Sequence, residues 1–210
     1  SSFDKNSNLS VIPVLRHCDV YAVNSVRNLL EIFNRLSTEF LSETSQGPSP
    51  IMTLNYKTEI KANKKILFEI SEIDELLSLS SNFIAKVQEK EPDFIELSAI
   101  GATLHAFYNG IENIFLLIFN KKGIDKENFK SERWHTELLN AMLKKTDKRK
   151  PVLDDLLYEP LSNYMGFRHF FRHTYGYHLR WDLAKPLFEN ITTVWTSIKN
   201  CFLNFIGQTS

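Results

Sequence analysis

Residues 166–182, GFRHFFRHTYGYHLRWD, bring together the side chains of this chain that are best suited to chemistry. The segment holds three of the six histidines and three arginines, and its only acidic residue is Asp182. Histidine exchanges protons near neutral pH, whereas arginine keeps its charge and binds anions through several N–H donors. The segment therefore predicts a site for an anionic ligand.

The spacing of these residues would place them on one edge of a helix. Residues four positions apart share a helical face, so Arg168 and Arg172 would form one row and His169 and His173 the next. Burial would leave these charges without an acidic partner from the same segment, at a cost of several kcal/mol per ion. We therefore expect the edge to face solvent or an anionic ligand.

One interpretation of this edge is a metal site, because His169 and His173 have the spacing of zinc-binding helices. The metalloprotease signature requires Glu directly after the first histidine, and Phe170 stands there instead. The neighbouring arginines would also repel a divalent cation. We therefore predict that the protein uses neither a metal nor another cofactor.

A second interpretation is RNA cleavage without a metal. Attack by the 2′-hydroxyl needs a proton-transfer group, a role that fits His173, and a fixed cation near the phosphoryl oxygens, a role that fits Arg168. His169 and Arg172 would support them, Arg172 by extending the contact with RNA. A third interpretation is a cationic face that binds an acidic protein surface or has no specific partner.

Arg168, His173 and Tyr175 form a pattern that is rarer than its parts. By composition alone, Arg-x4-His is expected about 0.2 times in the chain, and a Tyr two positions later lowers this to about 0.01. A looser pair, Arg172-x5-His178, lies in the same stretch. The triple pattern is therefore the more informative one.

The rest of the chain predicts helices, because apolar residues recur at helical spacing and no segment alternates like a strand. We predict a helix over 22–41 and a helical chain throughout after residue 51: an apolar stripe over 66–87 that could bend at 78–82, then helices from Asp93 to about 121, over 131–145, over 161–175 and from Asp182 to about 205. Asp93 and Glu96 have the spacing of a capping box, and Asp182 can cap the last helix. The fold class is an all-α antiparallel bundle of four to six helices.

The segment 42–51, SETSQGPSPI, reads as a linker because glycine and proline interrupt regular structure there. Met52 follows it, so we interpret 1–51 as an N-terminal extension of unknown role and 52–210 as the functional domain.

Composition narrows the range of partners and compartments. Basic and acidic residues balance at 25 each, so only a local patch could attract an anionic partner. The two cysteines match no metal spacing, and no apolar run approaches the roughly 20 residues of a membrane span. We therefore expect a cytoplasmic protein without membrane contact.

Three residues outside 166–182 bear on the site. Trp134 and His135 are expected to pack the short helix rather than to act in the site. Glu112 interrupts an apolar helix and is either a partner for the arginines or part of a solvated face.

Arg168-x4-His173-x-Tyr175 resembles the Arg-x4-His-x-Tyr signature of the HEPN superfamily, specifically its HepT-like ribonuclease toxins. ERWHTELLNAML (132–143) and LHAFYNGIENIFLLIF (104–119) resemble two further helices of that family. The resemblance covers about 55–205.

The chain departs from the family pattern in two places. The family commonly has an acidic residue near 178 and Asp before the Trp, whereas His178 and Arg180 stand here and Asp182 follows Trp181. These departures raise the local positive charge and leave open how the motif histidine is oriented.

The resemblance implies a homodimer in which the motifs of two copies line one cleft. It also implies an RNA endonuclease that a partner nucleotidyltransferase antitoxin neutralises by attaching AMP to Tyr175. A phosphate two residues from His173 would occupy the anion site and block it. The alternative is a non-catalytic HEPN module that binds a nucleotidyltransferase or nucleic acid.

Overall fold

The computed structural model describes residues 50–120, 133–145, 150–173 and 178–208, together with Glu31. Backbone contacts divide the chain into two units, Ser1–Thr44 and Ser45–Ser210, and the helices given below lie in the second. Apart from Glu31, the predicted helix 22–41 lies outside the described residues. The assignment of 52–210 as the functional domain stays a prediction.

The described ranges contain five α-helices and no strand, which confirms the predicted all-α bundle. In chain order they are α1 (Pro50–Glu89), α2 (Phe94–Asn120), α3 (Trp134–Leu143), α4 (Tyr158–His173) and α5 (Trp181–Gln208), with a short 3-10 helix, Asp155–Leu157, before α4. Only four residues join α1 to α2, so the two helices run as an antiparallel pair.

The first two helices begin where proline and acidic side chains favour a start. Pro50 opens α1, since the first turn of a helix does not need its missing N–H. The predicted linker 42–51 is therefore wrong at its last two residues, which already belong to this helix. Helix α1 then continues through 78–82, where the sequence suggested a bend. At the start of α2, the Asp93 carboxylate accepts the Glu96 N–H at 2.8 Å and Glu96 accepts the Asp93 N–H at 3.0 Å. The predicted capping box is therefore confirmed.

The starts of α4 and α5 differ from the sequence prediction. Helix α4 begins at Tyr158, three residues before the predicted start, and Pro160 fits within its first turn. Helix α5 begins at Trp181, so Asp182 does not cap it as predicted. Asp182 pairs instead with the Arg180 guanidinium, and the Arg180 carbonyl accepts the first helical N–H groups. The predicted end of α4 near 175 lies outside the described residues.

Helix α2 is the central element, since it packs against each of the other four helices. Its inward apolar side chains are almost completely buried: Ile100, Leu104, Phe107, Tyr108, Ile111, Ile114, Phe115 and Ile118. The Phe107 ring meets Tyr164 of α4 edge-on at 5.1 Å between centroids and Trp195 of α5 at 6.1 Å. These aromatic contacts join three helices at one point.

Close packing at Gly101 fixes the last turn of α4 against α2. A Cβ atom at Gly101 would lie 2.5 Å from Cε2 of Phe171 and 2.8 Å from Cδ2 of Leu179, so only glycine admits both side chains. One turn further along α2, the His105 ring packs on Phe171 with 5.5 Å between centroids. The end of α4 is therefore held from the side that faces α2.

We predict that Phe107→Ala destabilises the fold by about 3–5 kcal/mol, because it removes a fully buried ring of α2 that contacts α4 and α5. Urea unfolding followed by circular dichroism measures the change. Phe68→Ala is the matched control, since Phe68 is 60% exposed and its loss should change the free energy of unfolding by less than about 0.5 kcal/mol. Equal effects of the two substitutions would contradict the proposed core.

Candidate active site

Arg168 of α4 lies inside the bundle and forms an ion pair with Glu112 of α2. The guanidinium NH2 lies 3.0 Å from Oε2 of Glu112, and the two residues are only 8% and 5% exposed. A buried carboxylate facing a buried guanidinium satisfies both charges, and neither would be tolerated there alone. This pair fixes the rotation of α4 relative to α2.

Asn109 extends the contact by one helical turn of α2. Its Oδ1 accepts a hydrogen bond from Nε of Arg168, and its amide nitrogen lies 3.1 Å from Nδ1 of His105. Because arginine has donors only, the Asn109 oxygen must face Arg168 and its NH2 group must face His105. The His105 nitrogen is then an acceptor, which requires an unprotonated nitrogen at that position.

The electrostatic surroundings of His105 agree with this hydrogen-bond assignment. Burial, followed by the positive charges of Arg168 and Arg172, lowers the pKa of the His105 imidazole. Tyr108 lies on the same side of α2, and burial together with the Glu112 charge raises the pKa of its phenol. Both shifts favour the neutral forms of His105 and Tyr108 near the Glu112–Arg168 pair.

His135 of α3 completes the network. Its Nδ1 lies within hydrogen-bond distance of Oε1 of Glu112, so the two oxygens of that carboxylate bind different partners. The Arg168 NH1 lies 3.4 Å from both ring nitrogens of His135. Trp134 stacks against this ring with 3.6 Å between centroids. Helices α2, α3 and α4 thus meet at one polar cluster, which we call the Arg168 cluster: Asn109, Glu112, His135 and Arg168.

The exposure predicted for the whole edge is wrong for Arg168. The segment 166–182 offers no carboxylate to it, but the fold supplies one from Glu112 and an amide from Asn109, which lies 59 positions away. The cost of burial that motivated the prediction is therefore offset by a partner from another helix. Of the two readings left open for Glu112, the structure shows the one in which it pairs with an arginine.

The rest of the edge is exposed as predicted. His169, Arg172 and His173 all lie on the solvent side of the last turns of α4. The His169 and His173 rings lie 4.7 Å apart between centroids. We call these three residues the exposed edge. Two imidazoles and one guanidinium stand together there, and no carboxylate of the described residues is bonded to any of them.

The remaining predicted site residue, Tyr175, lies outside the described residues, and so do its neighbours 174–177. His178 and Arg180 follow on the C-terminal side and are both exposed. Arg180 binds both oxygens of Asp182, so its charge is locally compensated, unlike that of Arg172.

Asn109 and His135 belong to the site, but the sequence analysis assigned neither of them to it. Asn109 lies one turn before Glu112 in a helix with a long apolar face, and two polar residues at that spacing are a detectable signal. His135 was assigned to packing, and its ring does stack on Trp134. Its hydrogen bond to Glu112 depends on where α3 packs against α2, and residue spacing in the sequence does not reveal that placement.

Comparison with known proteins identifies the family. A sequence model of HepT-like proteins matches residues 99–209, which is more than half of the chain and includes α3, α4 and the whole Arg168 cluster. The chain therefore belongs to the HepT-like proteins, as the motif around Arg168 predicted. No curated protein and no solved structure matches it.

The described residues lack both a three-residue metal cluster and a helix that could span a membrane. No group of three or more His, Cys, Asp or Glu side chains is arranged there to hold a metal ion. Among the same residues, none of the helices has the length and apolar content that crossing a membrane requires.

We predict that Glu112→Gln destabilises the fold by about 3–5 kcal/mol, because it leaves the buried Arg168 charge without its counter-ion. Arg168→Met should cost a similar amount, and the double variant should cost clearly less than the sum of the two. Urea unfolding of the four proteins gives the coupling free energy.

Asp182→Asn serves as the control, because it breaks the fully exposed pair with Arg180 and should leave stability almost unchanged. Strict additivity of the Glu112 and Arg168 substitutions would show that the two side chains do not interact in solution.

Proposed function

We propose that this protein is a metal-independent RNA endonuclease, the toxin of a HEPN–nucleotidyltransferase pair. The observation that supports the proposal most is the exposed edge: His169, Arg172 and His173 stand at the end of a helix that the Arg168 cluster holds in place. Membership of the HepT-like proteins is consistent with this activity.

In the proposed reaction, the RNA 2′-hydroxyl attacks its own phosphorus atom and the 5′-oxygen leaves. His173 is the proton-transfer group, because its imidazole is exposed and histidine is the side chain most often used for proton transfer. The products are a 2′,3′-cyclic phosphate end and a 5′-hydroxyl end. His169, whose ring lies tilted beside that of His173, supports the orientation of that ring.

The two arginines differ in what they offer to a phosphate. Glu112 offsets the charge of Arg168, and Nε and NH2 of that guanidinium already bind Asn109 and Glu112. NH1 of the same guanidinium faces the His135 ring, so the role expected for Arg168 at the phosphate is replaced by one of holding the end of α4 in place. Arg172 is exposed, and no carboxylate of the described residues pairs with it, so it supplies the positive charge that attracts the RNA backbone.

A homodimer is part of the proposal, because in this family the motifs of two copies are expected to share a cleft. Phe170, next to His169 on α4, is 37% exposed and provides apolar surface for such a contact. The second copy would bring a second set of His169, Arg172 and His173 to the same RNA strand.

We predict that the purified protein cleaves total RNA in the presence of EDTA and leaves cyclic phosphate ends. His173→Ala should lower the cleavage rate by about 100-fold or more while the circular dichroism spectrum and unfolding midpoint stay unchanged, because the exposed imidazole contributes to chemistry and little to packing.

Arg172→Ala should weaken RNA binding and reduce its salt dependence, since one phosphate contact is lost. Arg180→Ala is the matched control: this arginine is also exposed but is paired with Asp182, and its loss should have a smaller effect. RNA binding without cleavage by the unaltered protein would favour the non-catalytic HEPN module instead. Full activity of His173→Ala would rule out the proposed role of that residue.

Neutralisation by AMP on Tyr175 is the proposed means of control. We predict that the protein co-produced with its partner nucleotidyltransferase gains the mass of one AMP group per chain and loses its cleavage activity. Intact mass spectrometry measures the gain, and Tyr175→Phe should abolish it. An AMP group found on Tyr175→Phe would place the modification at another residue.

A further inference from the structure

The two histidines of the exposed edge have an arrangement that a proton-transfer role alone does not require. His169 and His173 are one helical turn apart, both are exposed, and their ring centroids lie 4.7 Å from each other at an interplanar angle of 55°. Within the described residues, neither ring has a hydrogen-bond or ion-pair partner. Each imidazole therefore keeps a nitrogen available for another ligand.

The distance between the rings suits one metal ion bound by both. Zinc–imidazole bonds are about 2.0–2.1 Å long, so two rings that hold one ion must lie close together, as these two do. Imidazole nitrogens favour Zn²⁺, Ni²⁺ and Cu²⁺ over Mg²⁺ and Ca²⁺, which prefer oxygen ligands. The chemistry of the pair thus selects transition metals.

The Arg168 cluster removes part of the charge that would oppose such an ion. Two arginines flank the histidines in sequence, but the charge of Arg168 is offset by Glu112 and turned into the bundle. Only Arg172 keeps an uncompensated charge at this edge, and it is exposed, so water and salt screen its repulsion.

The residue pattern alone argued against a metal at this edge, but with Arg168 turned into the bundle we propose that His169 and His173 form a binding site for a single Zn²⁺ or Ni²⁺ ion. Water completes the coordination, and the bound ion inhibits the protein. The inhibition rests on the proposed ribonuclease activity, whereas the binding does not. The ion occupies the nitrogen lone pair with which His173 would accept a proton, so it blocks the reaction instead of promoting it.

The site binds its ion reversibly, because it offers only two protein ligands. Structural zinc sites have four protein ligands and catalytic ones usually three, and the described residues contain no group of three. EDTA therefore removes the ion and restores the unoccupied edge. This behaviour is typical of a regulatory site rather than of a structural one.

The binding experiment titrates Zn²⁺ into the untagged full-length protein in competition with a chromogenic zinc chelator. We expect His169→Ala and His173→Ala each to weaken this site by about tenfold or more. His178→Ala, which removes another exposed histidine, should leave the affinity unchanged, and Mg²⁺ in excess should not displace Zn²⁺. Equal zinc affinity of the unaltered protein, His169→Ala and His173→Ala would overturn the proposed site.

The activity experiment measures RNA cleavage with and without Zn²⁺. Zinc should inhibit the unaltered protein, and EDTA should reverse the inhibition. His169→Ala should need at least about tenfold more zinc to lose the same fraction of its own basal rate. Activation by zinc, or equal inhibition of His169→Ala, would overturn the inhibitory role. If the unaltered protein cleaves no RNA under any condition, the ribonuclease proposal is contradicted. The zinc-binding experiment then still tests whether His169 and His173 bind the ion.

Discussion

The ion pair between Glu112 and Arg168 is the interaction on which the arrangement of the site depends. A guanidinium this deeply buried requires a carboxylate partner, and Glu112 of α2 is the carboxylate that lies beside it. The second oxygen of Glu112 binds His135, so α3 is drawn into the same contact. This contact fixes α2, α3 and α4 relative to one another, and with them the position of the last turns of α4.

This packing divides the cationic segment 166–182 into a buried, inner part and an exposed, outer part. The inner part, Arg168, is fixed by Asn109 and Glu112, and the packing of Phe171 against Gly101 holds the end of the same helix. The outer part, the exposed edge, therefore stands on a rigid support, which is what a site needs to position proton-transfer groups within a fraction of an ångström. The proposed cleavage of RNA and the proposed inhibition by zinc both use this outer part, and they exclude each other at His173.

The sequence predicted the helices well because their apolar periodicity is strong, and the capping box at Asp93 and Glu96 marked the start of α2 correctly. It misplaced the start of α5, since an exposed aspartate next to an arginine can pair with that arginine instead of capping a helix. The motif identified the family, but local sequence could not show that Arg168 is buried. Its partner lies on another helix, and only the packing of α2 against α4 brings the two together.

The most direct test of this account is the exchange rate of the arginine Nε–H protons, measured by NMR on the ¹⁵N-labelled protein. If Arg168 donates its Nε–H to Asn109 inside the bundle, this proton should exchange with water far more slowly than that of Arg172, and Glu112→Gln should speed its exchange. Exchange of the Arg168 proton as fast as that of Arg172 would show that the ion pair does not hold the helix in solution.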